Sequence, residues 1–265
     1  MIIGSTRVLL LVIALLVGAA IYPPAAPAAL ISTAQEIRIG REAARDLERR
    51  YGVDPDPAQT RRLTAIGGRL TAVSARRNLP WRFRILAVRQ VNALSLPGGF
   101  IYVTRGMLNF LRSDDELAYV LAHEIAHVNQ RHHVQLLEQH FALSILVTVL
   151  FGGDATTAQI ADFVGFLLNR GFNRSLEFEA DDAGVGFAHR AGFRADAGLS
   201  VLERLRAAQG RDPSQFEVIF RTHPALPDRI VRMRQRLRGL GYRAQAGMPH
   251  SPEPALEGVR LRGAA

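Results

Sequence analysis

Residues 117–128 constrain this chain more than any other stretch. Leu117, Val120, Leu121 and Ile125 recur at helical spacing, which calls for a helix with a buried apolar face. Yet the middle of that helix reads His123-Glu124-Ile125-Ala126-His127. Residues four apart project from one side of a helix, so the two imidazoles stand together. Buried polar groups need a partner, because leaving them unsatisfied in a core is costly. One shared metal ion answers for both rings, and it leaves the Glu124 carboxylate beside any water on that ion. That arrangement points to metal-dependent peptide hydrolysis. The plain alternative is an amphipathic helix carrying two polar residues by chance.

The helix has a clear start. Ser113-Asp114-Asp115-Glu116 reads as a capping box, with Ser113 as cap and Glu116 reaching back, and its acidic residues suit the helix dipole. No helix breaker occurs from Leu117 to His140, so the helix is expected to continue past His133.

Two histidines do not complete a catalytic zinc site, which ordinarily has three protein ligands and one open position. His133 occupies the third-histidine position of the H-E-x-x-H-x-x-G-x-x-H pattern, but Gln130 stands where that pattern has its chain-turning glycine. On a continuing helix His133 lies too far along the axis to share the ion. A better source is the segment 174–182, Arg-Ser-Leu-Glu-Phe-Glu-Ala-Asp-Asp. It reads as a helix with Leu176, Ala180, Ala183 and Phe187 as its apolar stripe and Gly192 as its stop. Glu177 and Asp181 are four apart and share a face. One carboxylate can bind the metal while the other orients a metal-bound imidazole. Otherwise the pair is a solvated acidic face beside Arg174.

His-Glu-x-x-His followed by Glu177-x-x-x-Asp181 resembles the HtpX-like and CAAX-prenyl-protease-like zinc metallopeptidases. Three more segments are similar: residues 92–106 to the family's edge-strand segment, Arg131-His132 after the zinc motif, and Thr222-His223-Pro224 with Pro227-Asp228-Arg229-Ile230 to its closing His-Pro segment. The resemblance runs from about Ser32 to about Leu240. It departs at Asn173, where members often carry serine, and at Leu94-Ser95-Leu96, where an aromatic-Ala-Leu run is common. What it implies is one zinc ion (Zn2+) per chain held by His123, His127 and Glu177, with Glu124 as catalytic base. Asp181 is then the residue that orients an imidazole. The implied fold is a zincin-like α+β domain, mainly α with a small β-sheet, with the histidine motif on a central helix. For an oxyanion donor, His223 and Arg174 are the candidates. His223 has two other readings: a fourth ligand that holds the enzyme inactive, and a simple helix-entry histidine before Pro224.

Composition bounds the remaining choices. The chain has 265 residues, 48% of them hydrophobic, enough for a sizeable core. Its net charge is +9, and all 33 basic residues are arginine. They are dispersed among acidic residues without interleaved aromatics, which argues against nucleic acid as a partner. The densest group, Arg229, Arg232, Arg234, Arg236, Arg238 and Arg243, is expected to be a solvated helix face, with adhesion to anionic lipid second. The absence of cysteine excludes disulfides and thiolate-ligated zinc.

Residues 1–30 read as a secretory signal peptide or an uncleaved anchor: Arg7, an apolar run over 8–21, then Pro23, Pro24 and small residues. Either places the catalytic part outside the cytoplasm, in a bacterium in the periplasm or on the periplasmic face of the inner membrane. Residues 31–242 are expected to form the catalytic domain and 243–265 a disordered tail. The apolar runs 141–151 and 160–168 suggest a helical hairpin that packs on the core or forms a lid, with membrane dipping as the alternative. A first helix is capped at Ser32 or Thr33 and ends near Gly52; a second runs from the Asp54–Pro57 turn to about Arg77. Residues 81–91 and 100–104 have strand character about the turn Pro97-Gly98-Gly99. A strand beside the zinc helix can pair with an extended substrate backbone.

These features together predict an exported zinc endopeptidase acting on proteins or peptides, with peripheral membrane contact through the hairpin or arginine-rich helix. The resemblance adds quality control of misfolded envelope proteins. The contrasting reading is a catalytically idle, metal-stabilised chaperone-like binding protein. Glu124 speaks against it, because a structural site needs no base.

Overall fold

The computed structural model describes residues 31–140 and 157–242. The leader or anchor expected at 1–30, the first part of the expected hairpin (141–156) and the tail from 243 lie outside the described residues.

Helix α1 (Thr33–Tyr51) starts where Ser32 and Gln35 cap each other reciprocally, as its sequence predicts. Asp56 caps α2 (Pro57–Ala72) by accepting from the backbone N–H groups of Ala58 and Gln59. This helix stops earlier than the expected Arg77, and the chain turns through residues 73–79.

Strands β1 (Arg82–Leu86), β2 (Ala93–Leu96) and β3 (Phe100–Thr104) form a sheet in the order β1-β3-β2. β3 runs parallel to β1 and antiparallel to β2. The strand expected over 81–91 ends at Leu86 because its partner ends at Thr104, opposite Leu86. Beyond it the backbone bonds elsewhere: Gly106 donates to the Val88 carbonyl, and Val91 donates to Gln215. Within residues 92–106, the stretch that resembles an edge-strand segment, β2 is an edge strand next to the histidine helix and β3 is the central strand. β3 is buried on both faces. Ile101 and Val103 point into one apolar cluster with α2 and the helices below; Phe100 and Tyr102 point into a second with α1.

After the short α3 (Arg105–Phe110), helix α4 (Asp114–Asn129) is buried from Glu116 to Val128. Ser113 caps it; Glu116 reaches back one residue further than expected, to the backbone N–H of Arg112. The expected continuation past His133 does not occur. Arg131 adopts a left-handed backbone (φ 59°), turning the chain into α5 (His132–His140) without a glycine.

Helix α6 (Thr157–Arg170) covers the second of the two apolar runs, and it packs on the core: Ile160, Phe163, Val164 and Leu167 join the second cluster with Ile39, Ala43 and Leu47 of α1. Helix α7 (Arg174–Arg190) is capped by Asn173, which accepts from the Leu176 N–H, so asparagine serves where serine is common. Helices α8 (Ala197–Ala208), α9 (Pro213–Thr222) and α10 (Leu226–Gly239) complete the described chain. Among the described residues no helix is long and apolar enough to cross a membrane. The architecture is mainly α with a small sheet, as the sequence predicts.

α4 and α7 lie closely against each other. Gly184 permits it: a Cβ there would stand 3.1 Å from the backbone nitrogen of His123.

Candidate metal centre

Four buried side chains converge between α4, α7 and the end of α9: His123, His127, Glu177 and His223. One donor atom from each lies within 4.8 Å of all the others. Nε2 of His123 and Nε2 of His127 face each other at 3.1 Å. Nitrogens on one tetrahedral zinc stand roughly 3.3 Å apart, given bonds of about 2.0–2.1 Å. Glu177 places its two carboxylate oxygens 3.6 Å from Nε2 of His123 and 3.4 Å from Nε2 of His127. Nδ1 of His223 lies 3.2 Å from Glu177, and its Nε2 lies 3.6 Å from Glu124.

The electrostatics suit a cation. Burial holds the His127 imidazole well below its ordinary pKa, so its ring is neutral and has a lone pair to give. Burial by itself would push the Glu177 carboxyl up; Arg229, His223 and His123 outweigh it and hold Glu177 well below the carboxylate range. Two neutralisable nitrogens and an ionised carboxylate are the donor chemistry that zinc accepts. The residues present therefore fit the ion.

Surrounding residues hold the group in place. Asp181 stands 3.0 Å from Nδ1 of His123 and also accepts the Tyr119 hydroxyl at 2.8 Å. Arg229 grips Asp181 through two hydrogen bonds of 2.7 Å and reaches Glu177 at 2.6 Å. Burial opposes the ionised Asp181, but Arg229 outweighs it and lowers the pKa to about 2. Glu124, on α4 next to His123, is almost fully buried and accepts the Ser95 hydroxyl at 2.8 Å. Phe172 stacks flat on His127, 3.7 Å between ring centroids.

The structure thus brings together His123, Glu124, His127, Glu177, Asp181 and His223. It does not bring Arg174. That side chain is 67% exposed and pairs with Asp228 at 3.1 Å on the surface, so its candidacy as oxyanion donor is withdrawn. Nor are Glu177 and Asp181 a solvated face; both are buried. His133 stands apart from the four donors: its Nε2–H donates to the Ser95 carbonyl at 2.8 Å.

Arg229 and Ser95 are what the residue pattern concealed. The sequence places Arg229 in an arginine group expected to be a solvated helix face, yet it is only 3% exposed. The signal was its register: Leu226, Arg229, Ile230, Met233 and Leu237 are the buried stripe of α10. Ser95 lay in a strand segment whose departure from the aromatic-Ala-Leu pattern gave no hint of a contact with Glu124.

A buried His-His-Glu donor set beside a further carboxylate defines a metallohydrolase type of centre. The sequence profile of Peptidase family M48 matches residues 57–237, and the chain belongs to that family of zinc metallopeptidases. It is similar to the beta-barrel assembly-enhancing protease of Yersinia pestis, 30% identical over 233 residues that cover 84% of this chain and 46% of that protein. The protein of the same name from Escherichia coli K12 is 29% identical over 217 residues, 78% of this chain and 44% of its own. The mitochondrial metalloendopeptidase OMA1 of Schizosaccharomyces pombe is 30% identical over 207 residues, 76% of this chain and 60% of its own. The chain spans about half the length of these curated relatives.

Proposed function

We propose that this chain is a zinc-dependent endopeptidase that hydrolyses peptide bonds of unfolded proteins. The observation that carries the proposal is a carboxylate, Glu124, buried beside a complete donor set and held by Ser95. A purely structural site has no use for it.

His123, His127 and Glu177 would hold the ion. When bound there, zinc supplies Lewis acidity, polarising a carbonyl and lowering the pKa of a water. Glu124 takes the proton of the attacking water and passes it to the leaving amine. Ser95 fixes the carboxylate for that transfer by donating to one of its oxygens. Asp181 orients His123 through Nδ1. His223 faces Glu124 and Glu177, and burial alone would lower its pKa, but Glu177 and Glu124 raise it. In this reading His223 either donates to the developing oxyanion or, as a fourth donor, blocks the centre. Removal of His223 separates these roles, slowing hydrolysis in the first case and speeding it in the second.

Substrate reading follows from the cleft. Met107, Val120, Leu202, Leu205, Ile219 and Phe220 line an apolar pocket that adjoins His123 and Glu124. Such a pocket takes apolar side chains, which folded proteins bury and unfolded ones present. β2 is an edge strand of the sheet and lies next to α4, and an extended backbone can add to such an edge as a further strand. Placement at the periplasmic face of the membrane is the reading of residues 1–30, and action on envelope proteins is what the family resemblance adds; two of the relatives are named for enhancing beta-barrel assembly.

The test is cleavage of a labelled, chemically unfolded protein. Hydrolysis is expected to need zinc, to stop with chelator, and to be lost in Glu124→Gln while metal content stays at the wild-type level. A Glu124→Gln variant that still cleaves overturns the proposal. Wild-type protein that holds zinc, binds unfolded chains and never cleaves them would favour the chaperone-like reading.

A further inference from the structure

We infer that His132 is a positioning residue for the metal centre: it selects the His127 tautomer that leaves Nε2 free for the cation, and Glu179 in turn sets His132. The inference rests on the reading of His127 as a ligand.

The geometry behind it is a contact between two ring nitrogens. Nδ1 of His127 lies 2.8 Å from Nδ1 of His132. At that distance the two share one proton, so one donates and the other accepts. Nε2 of His127 faces Nε2 of His123 and the Glu177 carboxylate, which is the side that must carry a bare lone pair to bind a cation. The His127 proton then sits on Nδ1, and Nδ1 of His132 accepts it. His132 is left with its own proton on Nε2. That nitrogen is buried, makes no hydrogen bond, and has the Glu179 carboxylate 3.5 Å away.

Both metal-facing histidines therefore have an orienting partner, but of different kinds. His123 has a carboxylate, Asp181, which is the usual outer partner of a metal-bound imidazole. His127 has a second imidazole, relayed to a carboxylate that is 57% exposed. The left-handed turn at Arg131 brings His132 back over His127 only five residues later. Phe172, stacked flat on the face of the His127 ring, leaves that ring little freedom to find a different partner.

The experiment compares full-length wild type with His132→Leu, His132→Asn and Glu179→Gln. Zinc affinity is read by competition with a chromogenic chelator, ligand geometry by the visible spectrum after cobalt substitution, and folding by thermal unfolding of the metal-free protein. His132→Leu is expected to weaken zinc binding by about 10–100-fold and to change the cobalt spectrum. His132→Asn, whose amide oxygen falls near the position of Nδ1, is expected to recover most of the affinity. Glu179→Gln is expected to shift the cobalt spectrum with a smaller loss of affinity. It carries the test alone if His132→Leu does not fold. Wild-type affinity and spectrum in folded His132→Leu or in Glu179→Gln would overturn the inference, as would an Asn variant no better than Leu. A His127→Ala protein that binds zinc like wild type would instead overturn the metal-centre reading on which it stands.

Discussion

At Arg229 one guanidinium neutralises two buried carboxylates, Glu177 and Asp181. Burial works against its charge, yet Asp181 and Glu177 outweigh that and raise its pKa well above the ordinary arginine value. Removing one member of a buried ionic group leaves the others unpaired and costs about 3–5 kcal/mol. Arg229→Leu should lower the urea midpoint accordingly at neutral pH without changing the slope; a loss below about 1 kcal/mol, typical of solvated pairs, would contradict the burial argument. His133 makes a second prediction. Burial lowers its pKa from 6.5 to about 3. Below pH 6.5 the unfolded chain takes up a proton that the folded protein refuses until about pH 3, so stability falls as pH drops through that window. His133→Gln keeps a donor for the Ser95 carbonyl and cannot titrate, so its stability should fall less steeply over the same range. Identical slopes would show that His133 is not held neutral. At this scale the sequence was legible where spacing places residues on one helix face, as with His123 and His127 or Glu177 and Asp181. It was not legible where the contact crosses elements, as between Ser95 and Glu124, or where a charge sits on an apolar stripe, as Arg229 does.

Among the elements, the α4–α7 contact carries the centre, because each helix supplies part of the donor set. Gly184 sets how close they come. A valine there cannot fit against the backbone at His123 without moving one helix. Gly184→Val should lower both the melting temperature and the zinc affinity, and a variant that keeps both would show that the two helices have room to spare. Local chemistry foretold the helix starts at Ser32 and Ser113, each a cap with a side-chain hydrogen bond; Asp56 and Asn173 cap their helices in the same way without having been read as caps. Ends were harder to read. α4 stops because Arg131 takes a left-handed conformation that arginine gives no sign of favouring, and β1 stops because its partner strand runs out.

For the molecule as a whole, the donors come from stretches about fifty and a hundred residues apart, brought together by cores on both faces of a three-stranded sheet. The pairing of the two distant motifs rested on the family resemblance, whereas the mainly α character was readable because helical periodicity is a local signal. The strand order was not, since it depends on which apolar face each strand buries after collapse. The measurement that bears most directly on this account is the zinc stoichiometry and affinity of Glu177→Ala beside wild type, by equilibrium dialysis of the full chain. Wild type should hold one zinc ion per chain, and Glu177→Ala, still folded, should bind it far more weakly. Equal stoichiometry and affinity in the two proteins would mean that α7 contributes no ligand, and the centre described here would be wrong.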